Sequence, residues 1–175
     1  MKRIVSILFL SALSLFGARA QGGIPLLDKV EGHRVTFHYT YSLSQKGGEF
    51  APITDGDVTL EGNCYRLQGL GMEVISNGTT RWTLDPEAKE AMVETVEKED
   101  ILTNPALFIA SYRDHMDQLT VNAQGKDSLD VTLKLDEDNS ARFVLKDIVY
   151  KPQQGKSDFS VEEKSLSGYL VTDLR

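Results

Sequence analysis

The clearest pattern in the chain begins at Arg34, where apolar positions recur with a period of two. Val35, Phe37, Tyr39, Tyr41 and Leu43 alternate with Arg34, Thr36, His38, Thr40 and Ser42, so a strand here turns one face apolar and the other polar. Just before it, Leu26, Leu27 and Val30 fall at helical spacing, with Pro25 where a first turn tolerates a residue lacking an N–H. A short helix is therefore expected within Ile24 to Glu31. Lys46-Gly47-Gly48 and the stretch Pro52 to Gly56 have loop composition and set the first strand apart from strands predicted over Asp57 to Glu61 and Asn63 to Gln68. Gly69 and Gly71 bracket a turn, Met72 to Ser76 reads as strand, and Asn77-Gly78 is the strongest hairpin signal in the chain. Thr79 to Leu84 must then return antiparallel, and Ala91 to Val96 follows after the Asp85-Pro86 turn.

At Thr103-Asn104-Pro105 the period changes to helical, with a capping residue and a proline ahead of Ala106-Leu107-Phe108-Ile109-Ala110 and Tyr112. Such a helix is apolar nearly all round and has to be covered on more than one side, which places it on the concave face of the sheet. Further strands are predicted at Gln118 to Ala123, Ser128 to Leu135 and Ala141 to Tyr150, and the tail from Ser157 to Arg175 reads as short strand or irregular structure. The sequence shows no internal repeat and no linker. The expectation is one mainly β, antiparallel domain with a few helices.

Lys2 and Arg3, the apolar run Ile4 to Phe16 and the small-residue ending Ala18-Arg19-Ala20 read as a secretory signal cleaved after Ala20. That run is shorter than the ~20 residues of a membrane-spanning helix, so residues 21–175 are expected as a periplasmic domain that is not membrane-integral. Loss of Lys2, Arg3 and Arg19 takes the formal charge from -7 to -10, which argues against nucleic acid as a partner. Cys64 is the one cysteine. It allows no internal disulfide and does not stand at the cleavage site, where a lipoprotein needs it.

Candidate chemistry is sparse. His33, His38, His115 and Cys64 are scattered, and His33 and His38 are an odd number apart, so one strand sends them to opposite faces. Asp136, Asp138 and Asn139 lack the glycine and final glutamate of a calcium loop and read as a turn. Cys64, predicted on a strand, has no helix N-terminus to activate it and reads as an inert thiol. Glu87, Glu90, Glu94, Glu97, Glu99 and Asp100 form an acidic run, read as a solvated face or, more sharply, a docking patch for a basic partner. No nucleophile, base and orienting group come together in any motif, so the chain is expected to be no enzyme and to take no metal or cofactor. Phe37, Tyr39, Tyr65, Leu67, Trp82 and Leu84 fall on what alternation suggests are consistent faces of neighbouring strands, with the Leu107-Phe108-Ile109 helix as cover. Periodicity alone makes these an ordinary core.

The segment Gly62 to Leu67 followed by Met72-Glu73-Val74-Ile75-Ser76-Asn77-Gly78-Thr79-Thr80-Arg81-Trp82-Thr83-Leu84 resembles the periplasmic carrier family for outer-membrane lipoproteins, the LolA-like proteins, in which a strand, an Asn-Gly or Asp-Gly turn and a returning strand with tryptophan occur. Leu27-Asp28-Lys29-Val30 with the Val35 to Leu43 strand resembles the family's first helix and strand. Asn104-Pro105-Ala106-Leu107-Phe108-Ile109-Ala110 resembles its central helix, and Val171-Thr172-Asp173-Leu174-Arg175 its C-terminal Val-x-Asp-Leu-Arg. The pattern resembles the shorter Bacteroidetes-type forms more than the proteobacterial one. Glu61-Gly62 replaces an Arg-Pro pair, the first helix is short, a hairpin is trimmed between Leu135 and Tyr150, and Ser167-Gly168-Tyr169 lacks the usual proline.

The resemblance implies a strongly curved antiparallel sheet forming an incomplete, half β-barrel whose apolar concave side is closed by a helical lid. It implies a chaperone that takes the acyl chains of lipoproteins from an inner-membrane exporter to an outer-membrane acceptor, with a monomer as the expected form. The acyl site is expected at Phe37, Tyr39, Tyr65, Leu67, Trp82, Leu84, Leu107, Phe108 and Tyr112. The competing expectation keeps the fold and makes it a non-enzymatic scaffold that senses envelope lipid or binds a protein through its acidic edge.

Overall fold

In the computed structural model, which describes residues 23–97 and 101–175, the period-two segments become the strands of one ten-stranded sheet among the described residues. The strands are β1 (His33–Ser44), β2 (Ala51–Glu61), β3 (Cys64–Gly69), β4 (Met72–Ser76), β5 (Thr80–Asp85), β6 (Glu90–Thr95), β7 (Leu119–Gln124), β8 (Leu129–Lys134), β9 (Ser140–Pro152) and β10 (Leu170–Asp173). Their order across the sheet is β10-β6-β5-β4-β3-β2-β1-β9-β8-β7, with β10 and β7 as free edges, so the sheet is not closed into a barrel. The expected export signal, residues 1–20, and the acidic positions Glu99 and Asp100 lie outside the described residues.

Two expectations are corrected. The sheet is mixed: β10 runs parallel to β6, with Leu170 opposite Glu90 and Asp173 opposite Val93. After β9 the chain crosses the sheet as a strap of residues 153–169, which contains single helical turns at Ser157–Phe159 and Glu163–Leu166, and reaches the far edge already pointing the way β6 points. Second, the stretch Pro52 to Gly56, expected as loop, belongs to β2 and pairs with β1 across a bulge between Tyr41 and Ser42. Pro52 is tolerated there because β3 pairs with β2 only as far as Asp57 opposite Gln68, leaving the outer side without a ladder for a proline to interrupt. At this departure the backbones touch. A Cβ on Gly56 would lie 2.3 Å from the Gln68 carbonyl oxygen, and one on Gly69 2.1 Å from that of Asp55.

Residues directly opposite in an antiparallel ladder point to the same side of a sheet, so the register fixes which faces are apolar. Val35 faces Leu60, Phe37 faces Val58, Leu60 faces Tyr65 and Val58 faces Leu67. Tyr39 faces Leu145, Tyr41 faces Phe143, and Phe143 faces Val131. All of these are buried and form one cluster, here termed the Tyr39 face. Two short helices, α1 (Pro25–Asp28) and α2 (Pro105–Ser111), pack their buried residues into the same cluster. From β4 onward the apolar side switches. Ile75 is opposite Trp82, Trp82 opposite Val93, and Leu84 opposite Ala91. These five form a separate cluster on the reverse side, packed against Val161, Leu166 and Tyr169 of the strap.

The strap is pinned by a buried ion pair. Arg34, 6% exposed, donates from Nε to Glu61 Oε2 at 2.8 Å and also bonds the Asp158 carboxylate, Gln154 Oε1 and the Gly155 carbonyl oxygen. Glu61, 3% exposed, accepts in addition from the N–H groups of Gln154 and Gly155. Every polar group of the pair is engaged. Such a network holds the strap in one place, and losing one partner costs far more than the pair contributes net.

Candidate functional site

The Tyr39 face is built round Phe143 of β9. Phe108 of α2 stacks on its ring at 4.0 Å between centroids and 20° between planes, while Tyr41 lies at 5.3 Å and Tyr39 at 6.3 Å, both near parallel. Stacked pairs of this kind add about 0.5 to 1.5 kcal/mol beyond area burial, so α2 is held to the sheet chiefly through Phe108. The helix starts where its sequence requires. Asn104 Oδ1 accepts from the N–H groups of Ala106 and Leu107 at 3.0 and 3.1 Å, and Pro105 takes the first helical position. Seven residues are too few to be helical alone in water. Packing on the sheet supplies what the helix lacks.

The two helices meet at one polar junction. The Tyr112 hydroxyl donates to the Asp28 carboxylate and accepts from the Ile24 N–H at 2.9 Å, and Arg113 Nη2 reaches Asp28 Oδ1 at 2.6 Å. The Tyr112 hydroxyl, helped by the Arg113 guanidinium, holds the Asp28 carboxyl below the ordinary carboxylate range. Gly23 passes directly over this junction, since a Cβ there would come within 2.6 Å of Asp28 and 2.7 Å of the Tyr112 hydroxyl. On the sheet side Tyr150 donates to the Leu26 carbonyl oxygen at 2.7 Å.

Of the nine residues expected to line a site, the structure brings six together: Phe37, Tyr39, Tyr65, Leu67, Phe108 and Tyr112 all belong to the Tyr39-face cluster. Leu107 is only half-buried, because α2 turns Pro105, Ala106, Phe108 and Ile109 inward. Trp82 and Leu84 are buried on the reverse side and do not join the others. The reason is parity. Tyr65 opposite Ser76 and Leu67 opposite Val74 leave Ile75 facing away, and the turn after Ser76 then pairs Ile75 with Trp82. Alternation could not show this from sequence, because Val74 and Ile75 are both apolar.

Sequence reasoning missed Phe143, Val131, Leu133 and Leu145, although their strands were expected; the period-two pattern of β8 and β9 carried the signal. It also missed the strap. Two grooves open beside that segment on the Trp82 side, of about 390 and 400 Å³. The first is lined by Arg66, Glu73, Leu84 and Leu166 among others, and the second by Trp82, Val93, Val171 and Arg175. Cys64 is fully buried, and burial pushes its thiol up, as suits an inert side chain. His38 lies between two carboxylates, with Nδ1 3.0 Å from Asp57 and Nε2 3.1 Å from Asp55, and its pKa is raised, first by the hydrogen bond to Asp57. Among the described residues no group of three His, Cys, Asp or Glu side chains gathers to hold a metal, and no helix is long and apolar enough to cross a membrane. No protein-family model matches the chain, and no curated protein matches it significantly.

Proposed function

We propose that this chain is a periplasmic chaperone that receives the acyl chains of lipoproteins on the Tyr39 face and carries them from an inner-membrane exporter to an outer-membrane acceptor. The observation that carries the reading is the way that face is covered. A broad apolar surface is closed by two helical pieces of four and seven residues, joined through one polar junction in which Tyr112 is buried and Arg113 reaches solvent over Asp28. The ordered motifs that resemble the lipoprotein-carrier family support the same reading, with the two pieces as a helical lid over a half-barrel.

Magnitudes favour an exchange. Lifting α2 exposes mainly Phe108, Ile109 and Tyr112, at about 1.5 to 3 kcal/mol for each large side chain. Relative to water, a palmitoyl chain recovers about 0.8 kcal/mol per buried methylene, so the exchange outweighs the displaced helix for as long as the chain would otherwise stand in the aqueous phase between the membranes. The cover is also made of short pieces, of four and seven residues, which open locally more readily than the strands of the sheet.

The test is extraction of a synthetic triacylated lipopeptide from phospholipid vesicles. The wild-type protein is expected to recover it in the aqueous phase at one per chain, and Phe108→Asp is expected to abolish recovery while the sheet stays folded. A folded wild-type protein that extracts nothing would favour the competing scaffold reading, to which the close contact of Phe108 with Phe143 lends weight.

A further inference from the structure

Tyr39 is 2% exposed, and its hydroxyl has no hydrogen-bond partner among the described residues. Its surroundings explain why. The residue opposite it on β2 is Gly56, which has no side chain to offer, and the one opposite on β9 is Leu145. Phe37 packs edge-on against its ring, and Phe143 lies along it. The hydroxyl therefore lies inside the apolar cluster that α2 closes. Enclosing a hydroxyl without a partner costs about 1 to 3 kcal/mol, and a phenylalanine would fill the same volume without that cost. Burial beside Tyr41 and Tyr65 holds the phenol well above its ordinary pKa, so it stays protonated and can act as a donor.

The geometry points to the Tyr39 hydroxyl as the donor that binds a neutral carbonyl of the cargo, the ester or amide joining an acyl chain to its head group. The inference rests on the carrier reading and deepens it by naming a polar contact within the apolar site. A neutral acceptor is required because the charged side chains buried among the described residues, Arg34 and Glu61, are paired with each other and offer no counter-charge on this face. An ionised carboxylate would enter without a counter-charge, at a cost that a single hydroxyl cannot offset. Arg34, the buried cation among the described residues, lies on the opposite side of β1 and is engaged by Glu61, Gln154, Gly155 and Asp158. The closed protein thus holds an unmet donor that the cargo satisfies once the helix has moved aside.

The experiment compares 1-monopalmitoylglycerol with 1-O-hexadecylglycerol, lipids of equal chain length that differ in the ester carbonyl, offered from phosphatidylcholine vesicles to wild type and Tyr39→Phe. Wild type is expected to prefer the ester by about three- to tenfold, the range of one net hydrogen bond. Tyr39→Phe should lose that preference, bind the ether as before, and unfold in urea at a midpoint no lower than wild type. Equal binding of ester and ether by wild type, or a preference that survives in Tyr39→Phe, would overturn the inference while leaving the carrier reading in place. A lower midpoint for cargo-free Tyr39→Phe would also overturn it, since the hydroxyl would then already be satisfied by a buried water. If neither lipid binds wild type, the carrier reading falls, and this assignment with it.

Discussion

The sheet buries its two sides by different means. On the Tyr39 face the cover is two short helices brought from distant parts of the chain, held by aromatic stacking, by a partly buried polar junction and by Tyr150 on the Leu26 carbonyl oxygen. On the Trp82 face it is the strap, fixed at one end by the buried Arg34 and Glu61 pair and at the other by the parallel pairing of β10 with β6. Arg66 adds a further tie, bonding Glu73 at 2.7 Å and the Asp158 carbonyl oxygen at 2.8 Å. The contrast teaches where motion is cheap. A short cover whose junction reaches solvent is expected to lift more readily than one whose ties are buried and charged, which comes off only with the fold.

The contrast can be broken most severely at the strap. Glu61→Ala leaves the Arg34 guanidinium buried with a reduced set of acceptors and strips the N–H groups of Gln154 and Gly155 of theirs; a loss of about 4 kcal/mol is expected in urea unfolding. Trp82→Ala follows, at about 3 kcal/mol for a large side chain removed from a packed cluster. Despite that loss the variant should still extract the triacylated lipopeptide under conditions where it is folded, because Trp82 is on the wrong side of the sheet to touch it. Loss of extraction from a folded Trp82→Ala protein would mean that the two faces are not functionally separate.

A smaller and more local effect is expected at the helix junction. The Asp28 carboxyl is held below its ordinary value of 3.8, so its contribution is present above that value and is lost as pH falls through the lower value of the folded state. Acid should therefore loosen the helices, seen as faster amide exchange in residues 24–30 and 104–116; Glu61 and Asp158, which tie down the strap, are likewise held below their ordinary values, so the part of the acid step that belongs to Asp28 is the part missing from Asp28→Asn. Asp28→Asn should show the faster exchange already at neutral pH. The smallest effect belongs to His38, whose raised pKa comes from Asp57 and Asp55. A raised value stabilises the fold below the ordinary histidine value of 6.5 and loses that contribution as pH rises through the folded value. The stability difference between wild type and His38→Gln should accordingly shrink in mildly alkaline buffer.

Much of this architecture was legible in the residues. The alternation from Val35 to Leu43, the Asn77-Gly78 turn and the Asn104-Pro105 cap each specified a local structure that the molecule adopts. What stayed hidden depended on pairing between distant segments. Val74 and Ile75 are both apolar, so no periodicity could say that β4 hands the buried side from one face to the other. Asp147, at φ 55°, marks the place where β9 shifts its register against β1 between Thr36 and His38, bringing Ile148 as well as Leu145 to the Tyr39 face. An unbroken strand reading would have sent one of them away. The parallel β10 was likewise invisible, because its direction is set by the path of the strap and not by its own four residues. For the candidate site, alternation found Phe37, Tyr39, Tyr65 and Leu67 but not Phe143, the ring on which the stack is built.

The most direct measurement is the position of cargo on the sheet. A palmitoyl probe carrying a diazirine on its chain, loaded on the wild-type protein and photolysed, would label the residues it touches, and peptide mass spectrometry would locate them. Adducts are expected at Tyr39, Tyr65, Phe108 and Phe143. Adducts confined to Trp82, Leu166 and Tyr169, beside the grooves of the strap, would contradict a cargo site on the Tyr39 face.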